Sequence, residues 1–412
     1  MRSKEKLHIL ILNHYAGSPK MGMEFRPYYL AREWIKMGHQ VTIMAGDYSH
    51  LRIENRKPEK DFQKEIIDDV RYCWVRTGVY KGNGVKRAFT MFRFVEKLWK
   101  NARQIADIMK PDVVITSSTY PLDTYAGQRI AKRAGAKLIH EVHDMWPATL
   151  VELGGMKRTN PFVMLIQAAE DSAYQNSDYV VSLPPCAKEY MIRHGMKEDK
   201  FVNIQNGVVL EEWEEGQPIP EEHRRLLISL KEKGKFIVGY FGGHALSNAL
   251  DGLLDAAKEM KTPEIAFVLV GDGVEKPGLM ERVGKEGIEN VYFLDPVCKP
   301  CVGDLLKYFD CSYIGSKDSP LYRFGLTANK MYDSMMAGKP LICAVNAAGC
   351  AVETYECGIM VKSGKTEDIC RAIERMCHMS VEERDEMGKR GEEAVKQYFT
   401  YEALAQQFEK LF

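Results

Sequence analysis

Short runs of apolar, β-branched residues alternate with amphipathic stretches along nearly the whole chain. This alternation is typical of β-α units, which build a parallel sheet covered by helices. In the first half it predicts strands at His8–Asn13, Gln40–Ala45, Val70–Val75, Val113–Thr116, Lys137–Glu141 and Tyr179–Ser182. The helices predicted between these strands include Phe25–Met37, Ala88–Met109, Tyr125–Arg133 and Phe162–Asn176.

The pattern breaks at Asn206-Gly207, where an acidic, proline-bearing stretch and a charged helix ending near Lys233 follow. The alternation then restarts, with strands predicted at Phe236–Phe241, Ala266–Val270, Val291–Leu294, Cys311–Ile314, Pro340–Ala344 and Ile359–Val361. Helices are predicted in this half at Asn248–Met260 and Asn329–Met336. The sequence therefore predicts an α/β protein with two doubly wound, Rossmann-like domains, 1–207 and 208–395. A last helix within 396–412 is expected to cross back to the first domain.

Two such domains have a preferred place for a ligand. Open α/β sheets bind ligands at the carboxyl ends of their strands, so the substrates are expected in a cleft between the two sheets.

Charge and composition exclude several classes of function. Lys plus Arg and Asp plus Glu are both 57, so the chain lacks the basic excess that a nucleic-acid binder usually shows. We expect neither a secretory signal nor a membrane span, because no apolar run approaches the ~18 residues that a span needs. The ten cysteines suggest reduced thiols in a cytoplasmic protein. Cys298 and Cys301 form a CxxC motif that fits two loop cysteines better than a zinc site, which would need a second pair.

Each half opens with a strand, a glycine loop and a helix. The first loop holds Gly17 and Gly22, and the second holds Gly242 and Gly243. Such a turn directs backbone N–H groups and the positive end of a helix toward an anion, commonly a phosphate. The alternative is steric, because tight β-α turns need glycine whether or not they bind a ligand.

The segment 324–340 is the most specific part of the sequence. Its predicted helix, Asn329–Met336, is closed by Gly338, and Pro340 follows. A lysine near a helix N-terminus is unfavourable unless an anion joins it, so Lys330 is a candidate ligand for a diphosphate. Asp333 lies three residues further and can accept hydrogen bonds from two ribose hydroxyls. A surface salt pair between these two residues is the alternative.

Several segments together resemble glycosyltransferase family 4, the retaining sugar-nucleotide transferases with the GT-B fold. They match in order at 22–31 (Gly-Met-Glu-Phe-Arg-Pro-Tyr-Tyr-Leu-Ala), 141–147 (Glu-Val-His-Asp-Met-Trp-Pro), 205–208 (Gln-Asn-Gly-Val), 239–243 (Gly-Tyr-Phe-Gly-Gly), 269–273 (Leu-Val-Gly-Asp-Gly) and 324–340. The sequence looks most like the branch that makes O-antigen and capsule polysaccharides, including N-acetylfucosamine transferases. This resemblance implies a UDP-sugar donor, a lipid-linked saccharide acceptor and no cofactor.

The resemblance implies that the second domain binds the donor. Asp333 stands where the second Glu of the family's Glu-x7-Glu motif contacts ribose, whereas the first Glu falls at Gly325. Asn248 stands where the family often has a lysine, so Lys330, with Arg323, is expected to neutralise the diphosphate. The remaining donor-site candidates are Gly242, Gly243, His244, Asp272, Gly273, Val297, Leu326, Thr327, Ala328 and Asn329. For His244, a position at the start of the following helix is the alternative.

The resemblance also places His143 at the family's catalytic histidine. Its imidazole is expected to hydrogen-bond the donor sugar near the reacting carbon. His140, which lies within the predicted strand Lys137–Glu141, fits a structural role better. The sequence contains no Asp-x-Asp, which is the usual metal-ligand pair of the other major transferase architecture, so no required metal is expected.

The acceptor is expected on the first domain. The candidate contacts there are Gly22, Glu24, Arg26, Ser117, Ser118 and Thr119. The segment 81–110 carries a local excess of six positive charges, interleaved with Phe89, Phe92, Phe94, Leu98 and Trp99. Such a helix can lie on the inner face of an anionic membrane as a peripheral contact. An ordinary helix with core aromatics and solvated charges is the alternative.

The preferred hypothesis is thus a metal-independent, retaining glycosyltransferase that moves an N-acetylated or deoxy hexosamine from UDP to a lipid-linked saccharide. Two alternatives stay open. One is a non-hydrolysing UDP-N-acetylglucosamine epimerase with the same architecture. The other is a catalytically inactive regulatory protein, which the missing carboxylate at Gly325 favours.

Overall fold

The computed structural model describes residues 6–23, 25–82, 84–260 and 262–412. The chain divides into two compact units, one formed by 1–205 together with 401–412, and the other by 206–400. The sequence had placed the boundary at 207. It had also assigned 396–400 to the returning helix, whereas the structure keeps these residues in the second unit because the preceding helix continues to Tyr398.

The first unit is built on one mostly parallel sheet. Its strands are β1 (His8–Leu12), β2 (Gln40–Gly46), β3 (Gln63–Ile67), β4 (Val70–Val75), β5 (Val113–Thr116), β6 (Lys137–Val142), β7 (Tyr179–Ser182) and β8 (Phe201–Asn203). They lie in the order β3-β4-β2-β1-β5-β6-β7-β8, and β3 pairs with β4 in the antiparallel direction. The β1 strand is central, and Ile9 to Leu12 are fully covered.

Seven helices of the described chain cover or flank this sheet between β1 and β8. They are α1 (Arg26–Lys36), α2 (Val85–Lys100), α3 (Ala102–Met109), α4 (Thr124–Ala134), α5 (Ala148–Glu152), α6 (Pro161–Asn176) and α7 (Lys188–Arg193). The single helix predicted over Ala88–Met109 is wrong: α2 begins three residues earlier and the helix breaks at Asn101. There the Asn101 side chain donates to the Lys97 carbonyl, so its amide competes with the regular helical pattern.

The second unit is a six-stranded parallel sheet. Its strands are β9 (Phe236–Phe241), β10 (Ile265–Val270), β11 (Val291–Leu294), β12 (Cys311–Gly315), β13 (Leu341–Ala344) and β14 (Gly358–Val361), in the order β11-β10-β9-β12-β13-β14. The β9 and β10 strands are buried along their whole length, as expected for a parallel sheet covered on both faces. The predicted α/β class with two doubly wound sheets is confirmed.

The helices of the second unit follow the same alternation. They are α8 (Leu210–Glu214), α9 (Glu221–Glu232), α10 (Leu250–Glu259), α11 (Lys276–Glu286), α12 (Val302–Lys307), α13 (Asn329–Met336), α14 (Ala351–Thr354), α15 (Thr366–His378) and α16 (Val381–Tyr398). The α13 helix has the bounds that the sequence predicts. Ser380 and Glu383 form a capping box at the start of α16, with each side chain bonded to the other residue's backbone N–H.

The last helix, α17 (Tyr401–Glu409), belongs to the first unit and packs on α1. The Trp34 indole N–H donates to the Ala405 carbonyl over 3.1 Å, and its ring lies edge-on to Phe408. A buried Trp is favourable where its N–H finds an acceptor, so this contact anchors α17 on α1. Over the described residues, no helix combines the length and apolarity that a membrane crossing requires.

Candidate functional site

Two glycine loops of the second unit pack backbone against backbone at the carboxyl ends of β9 and β10. Gly242 has a φ of 126° and Gly271 a φ of 147°. A Cβ on Gly271 would lie 1.9 Å from the Gly242 carbonyl oxygen, and one on Gly273 would lie 2.4 Å from that of His244. Only glycine fits these approaches. The close packing therefore explains Gly271 and Gly273 sterically, whereas a Cβ on Gly243 would meet nothing within 4 Å.

His244 is enclosed between these loops. Its backbone N–H donates to the Asp272 carbonyl over 2.7 Å, and its ring lies beside Tyr240 and Phe293. Both ring nitrogens are buried and have no hydrogen-bond partner within the described chain. Burial lowers the pKa of His244 to about 4, so the imidazole is neutral and offers one donor and one acceptor. The next helical residues begin at Leu246, so His244 belongs to the loop and not to a helix start.

Lys330 reaches the first of these glycine loops from the N-terminal turn of α13. Its ammonium donates to Asn248 Oδ1 over 2.8 Å and to the Tyr240 hydroxyl over 3.1 Å, and it lies over the Tyr240 ring. Its Nζ would be 3.9 Å from a Cβ on Gly242. No carboxylate of the described residues pairs with it. Burial lowers its pKa to about 8, because the charge lacks a compensating anion.

Asp333 lies one turn further along α13 and has a different partner. Its Oδ1 is 2.5 Å from the Lys299 ammonium, and the carboxylate is buried. The two described residues Lys330 and Asp333 do not form the surface salt pair that was the alternative interpretation. Sequence reasoning missed Lys299, because a lysine between two cysteines, in a loop distant along the chain, carries no signal for this contact.

The other predicted donor-site residues divide into exposed and structural ones. Asn329 and Arg323 are exposed, and the Arg323 guanidinium lies over the Phe324 ring. Asp272 is exposed, and its Oδ1 accepts from the Gly273 N–H.

Leu326 is instead a core residue, and Val297 packs half-buried against the core. The Thr327 carbonyl accepts from the Asn206 side chain over 3.2 Å, and Ala328 is the extended residue that precedes α13. Leu326, Thr327 and Ala328 belong to the loop that leads into α13.

Gly325 has a backbone conformation that residues with a side chain rarely adopt. Its φ is 107° and its ψ is 177°, at the end of a short 3-10 helix, Pro320–Phe324. This region of φ and ψ is essentially restricted to glycine. The first motif carboxylate is therefore not just missing, because the loop has a shape in which a glutamate would be strained.

In the first unit, four predicted or neighbouring polar residues form one buried network. His143 Nε2 lies 2.9 Å from Ser117 Oγ and 3.2 Å from Glu141 Oε2. The Ser117 hydroxyl donates to the same carboxylate over 2.5 Å. Arg26 Nε donates to Glu141 Oε1 over 3.0 Å. The β5 and β6 strands, which are neighbours in the sheet, bring Ser117 and His143 together just beyond their carboxyl ends.

The electrostatics of this network depend on Glu141. Burial alone would raise the pKa of Glu141, but Arg26 and His143 outweigh it and hold its pKa well below the usual range. The carboxylate is thus ionised and fixes the His143 ring at Nε2. Sequence reasoning named both Arg26 and His143 but missed Glu141, although it begins the very segment, 141–147, that carried the resemblance.

The sequence predicts that Arg26 contacts the acceptor, but the structure does not leave its side chain available for that contact. Its guanidinium is buried and also donates to the carbonyls of Ile204 and Gln205, over 2.9 and 2.6 Å. It therefore has a structural role, because its donors are used within the unit. His140 is also internal, with Nδ1 at 2.9 Å from the Thr116 hydroxyl.

The remaining acceptor candidates differ in what their side chains do. Ser118 accepts from the His14 N–H at its hydroxyl and is buried. The Thr119 hydroxyl is buried without a partner among the described residues. Gly22 has a φ of 90° and abuts Ile53. Glu24 lies outside the described residues.

Comparison with known proteins agrees with this arrangement. Residues 21–212 match the family model described as Glycosyltransferase Family 4, and residues 235–379 match Glycosyl transferases group 1. The chain is 25% identical over 325 residues to the probable glycosyltransferase WbjE of Pseudomonas aeruginosa, which covers 72% of each chain.

Two solved structures show the same fold over 98% or more of both chains. They are sucrose-phosphate synthase from Thermosynechococcus elongatus, with a TM-score of 0.74 and 17% identity, and Anabaena Alr3699/HepE in complex with UDP and glucose, with a TM-score of 0.66 and 16% identity. Both family models, the relative and the two-sheet fold lead to one conclusion: the chain is a glycosyltransferase that belongs to family 4.

Proposed function

We propose that this glycosyltransferase takes its sugar from a UDP-sugar bound to the second unit and needs no metal ion. The observation that carries the proposal is the Lys330 ammonium, held at the Gly242 loop without a carboxylate partner in the described chain. A cation kept at the N-terminal turn of a helix is stabilised when an anion joins it. A nucleoside diphosphate supplies that anion.

The Lys330 contacts support a diphosphate rather than a neutral ligand. Tyr240 and Asn248 fix the ammonium through neutral oxygens, so its charge remains uncompensated. Backbone N–H groups of the neighbouring glycine loop are suited to the remaining phosphate oxygens. In this proposal Lys330 takes over the charge neutralisation that a metal ion performs in other transferases, and Arg323 is the second candidate cation.

Asp333 is the proposed ribose contact. The Lys299 ammonium donates to Oδ1, and no other described side chain bonds Oδ2. A carboxylate oxygen accepts two hydrogen bonds, so Oδ2 is able to receive the ribose hydroxyls while the ion pair persists. Support for UDP also comes from HepE, whose solved complex with the same fold contains UDP and glucose.

For the chemical step we propose retention of configuration, as family 4 membership implies. The leaving diphosphate accepts the proton of the acceptor hydroxyl on the same face of the sugar, and Lys330 stabilises the charge that develops on it. His143, held at Nε2 by Ser117 and Glu141, offers its imidazole to a hydroxyl of the donor sugar. The proposed sugar is an N-acetylated or deoxy hexosamine.

The proposed acceptor is a lipid-linked saccharide of cell-surface polysaccharide synthesis, met at the inner face of the membrane. The surface that supports this is the exposed side of α2. Phe89 is 60% exposed and Trp99 is 45% exposed, whereas Phe94 and Leu98 are core residues. Exposed aromatics among basic residues favour peripheral binding to an anionic bilayer.

Membrane binding is tested with vesicles that contain anionic lipid. The double variant Phe89→Ser with Trp99→Ser should sediment with them at least about tenfold less than the wild type, because both side chains lose their apolar contact. Ile228→Ser, an exposed apolar residue on α9, is the matched control and should sediment normally. Equal sedimentation of all three proteins would contradict the membrane surface.

The donor is tested by calorimetry with a panel of UDP-, GDP- and dTDP-sugars in EDTA. We expect binding of a UDP-sugar without metal, and loss of at least about tenfold in affinity in Asp333→Ala. Binding of no nucleotide sugar, or binding only after addition of a divalent metal, would contradict the proposal. Donor turnover without any acceptor would favour the epimerase, and donor binding without transfer to any acceptor would favour the inactive regulatory protein.

A further inference from the structure

Cys298 and Cys301 bring their sulfur atoms together in a loop of the second unit. The two Sγ atoms lie 2.6 Å apart, and the Cys301 N–H donates to the Cys298 carbonyl over 2.9 Å. Cys298 is exposed, whereas Cys301 is 6% exposed and donates to the Pro218 carbonyl. The backbone therefore already holds both sulfurs within reach of each other, with one of them open to solvent.

A metal ion does not account for the pair. Tetrahedral zinc needs four protein ligands at a structural site and three at a catalytic one. In the described part of the chain, the only group of three or more His, Cys, Asp or Glu side chains with converging ligand atoms is Glu170, Asp171 and His194, which lies in the first unit. The two thiols thus lack a third metal ligand among the described residues. Reversible oxidation of the thiols is the chemistry that their proximity still allows.

We propose that Cys298 and Cys301 are a redox modification site that forms a reversible disulfide by exchange with a small-molecule disulfide. The exposed Cys298 thiolate attacks the reagent disulfide, forms a mixed disulfide and releases one thiolate, which takes up a proton. Cys301 then loses its proton and attacks Cys298 Sγ, which closes the Cys298–Cys301 bond and releases the second thiol. The protein loses two protons and two electrons, and the reagent disulfide takes them up to become two thiols.

The order of attack follows from the surroundings of the two thiols. Burial, together with the neighbouring Cys298 thiol, raises the pKa of Cys301 to about 11, so it is a poor first nucleophile. Its attack on Cys298 is intramolecular and starts from contact distance, which compensates for the small thiolate fraction. The other exposed cysteine, Cys186, lies in the first unit, so it serves as a control for simple surface oxidation.

The site is coupled to the proposed donor site through Lys299, and this part of the inference rests on the proposed function. Lys299 lies between the two cysteines and bonds the Asp333 carboxylate. Closing the disulfide draws the sulfurs from 2.6 Å to ~2.0 Å and constrains the two residues between them. We therefore expect the oxidised protein to bind UDP with a Kd that differs by about fivefold or more from that of the reduced protein.

The experiment oxidises the purified protein with glutathione disulfide, blocks the remaining thiols under denaturing conditions and maps the products by mass spectrometry. Trypsin does not cleave the Lys299-Pro300 bond, so both cysteines stay in the peptide 286–307. We expect this peptide to lose two hydrogens, and to regain them with dithiothreitol. Cys301→Ser should instead retain a mixed disulfide on Cys298, whereas Cys186→Ser should behave like the wild type.

A stable glutathione adduct on Cys298 of the wild type, or two free thiols after oxidation, would overturn the proposal. The coupling is read from the ratio of the UDP affinities of oxidised and reduced protein, which should fall to about one in Lys299→Gln. An unchanged ratio in the wild type would overturn the coupling. If the reduced protein binds no UDP, the donor assignment fails, while the mass spectrum still decides whether the disulfide forms.

Discussion

Arg26 Nε and Glu141 Oε1 lie 3.0 Å apart, and only 5% and 2% of the two side chains are exposed. The pair links the start of α1 to the end of β6, and through Glu141 it fixes His143. Removing one partner of a buried ion pair leaves an uncompensated charge, which costs far more than the pair itself contributes.

Arg26→Met should therefore lower the free energy of unfolding of the first unit by about 3–5 kcal/mol. Lys20→Met removes the exposed Lys20–Asp68 pair of the same unit and should cost about 0–1 kcal/mol. Urea unfolding followed by tryptophan fluorescence measures both. A loss below about 1 kcal/mol in Arg26→Met would show that the pair is not structural.

The pKa of Glu170 is raised, whereas that of Glu141 is lowered. The contribution of Glu170 to folding stability should therefore change with pH in the opposite direction to that of Glu141. Burial raises the pKa of Glu170 to about 8, although the Tyr174 and Tyr190 hydroxyls and the Gln167 amide all donate to its carboxylate. A carboxyl that keeps its proton in the folded protein stabilises it fully below the unfolded pKa, which is ~4.3. That stability is lost as the pH rises through about 8.

Glu170→Gln removes this titration. Between about pH 5 and about pH 8, the free energy of unfolding should fall more in the wild type than in Glu170→Gln. The difference between the two decreases should exceed about 1 kcal/mol. Urea unfolding at several pH values measures the difference. Parallel pH profiles for the two proteins would show that Glu170 is already ionised at low pH.

The affinity for UDP should depend on pH through the Lys330 ammonium. Because burial lowers its pKa to about 8, the ammonium is charged below that pH and loses its proton above it. The Kd for UDP should therefore rise between about pH 7 and about pH 9. Lys330→Met should bind UDP at least about tenfold more weakly and lose this pH dependence.

Lys339→Met is the matched control for Lys330→Met. Lys339 follows the opposite end of α13, and its ammonium points to the Lys307 carbonyl. Its UDP affinity should stay within about twofold of the wild type, because a distant charge is screened by solvent. Equal losses in both variants would indicate a general effect on α13 and would contradict the Lys330 assignment.

Gly325 predicts that the family's missing carboxylate cannot simply be restored. Gly325→Glu forces a side chain into a φ of 107° and should cost about 1–3 kcal/mol of stability in the second unit. Gly325→Ala should cost a similar amount, because the strain lies in the backbone. A Gly325→Glu protein that is as stable as the wild type and binds the donor more tightly would contradict this account.

The fold was largely predictable, and what escaped prediction has physical reasons. Buried parallel strands such as β5 and β9 were predicted with the bounds that the structure has, since continuous apolar runs mark them. The β3 strand was missed because its residues alternate between half-buried and exposed at a sheet edge and are mostly polar.

The site was less predictable, because its contacts join residues that are far apart in sequence. Arg26 and Glu141 are separated by 115 positions, and Lys299 and Asp333 by 34. A motif indicates which residue types belong together. It does not show that Arg26 forms an ion pair with Glu141, or that Lys299 forms one with Asp333. The family itself was recognisable because its motifs recur in order along nearly the whole chain.

Sugar transfer itself is the decisive measurement for a retaining, metal-independent reaction. The UDP-sugar selected by calorimetry is incubated in EDTA with a lipid-linked saccharide, and the product's anomeric configuration is determined by NMR. We expect the wild type to transfer the sugar with retained configuration. The rate of transfer should be lower by about 100-fold or more in His143→Ala. Transfer that requires a metal ion, inverts the configuration, or proceeds unchanged in His143→Ala would contradict the account.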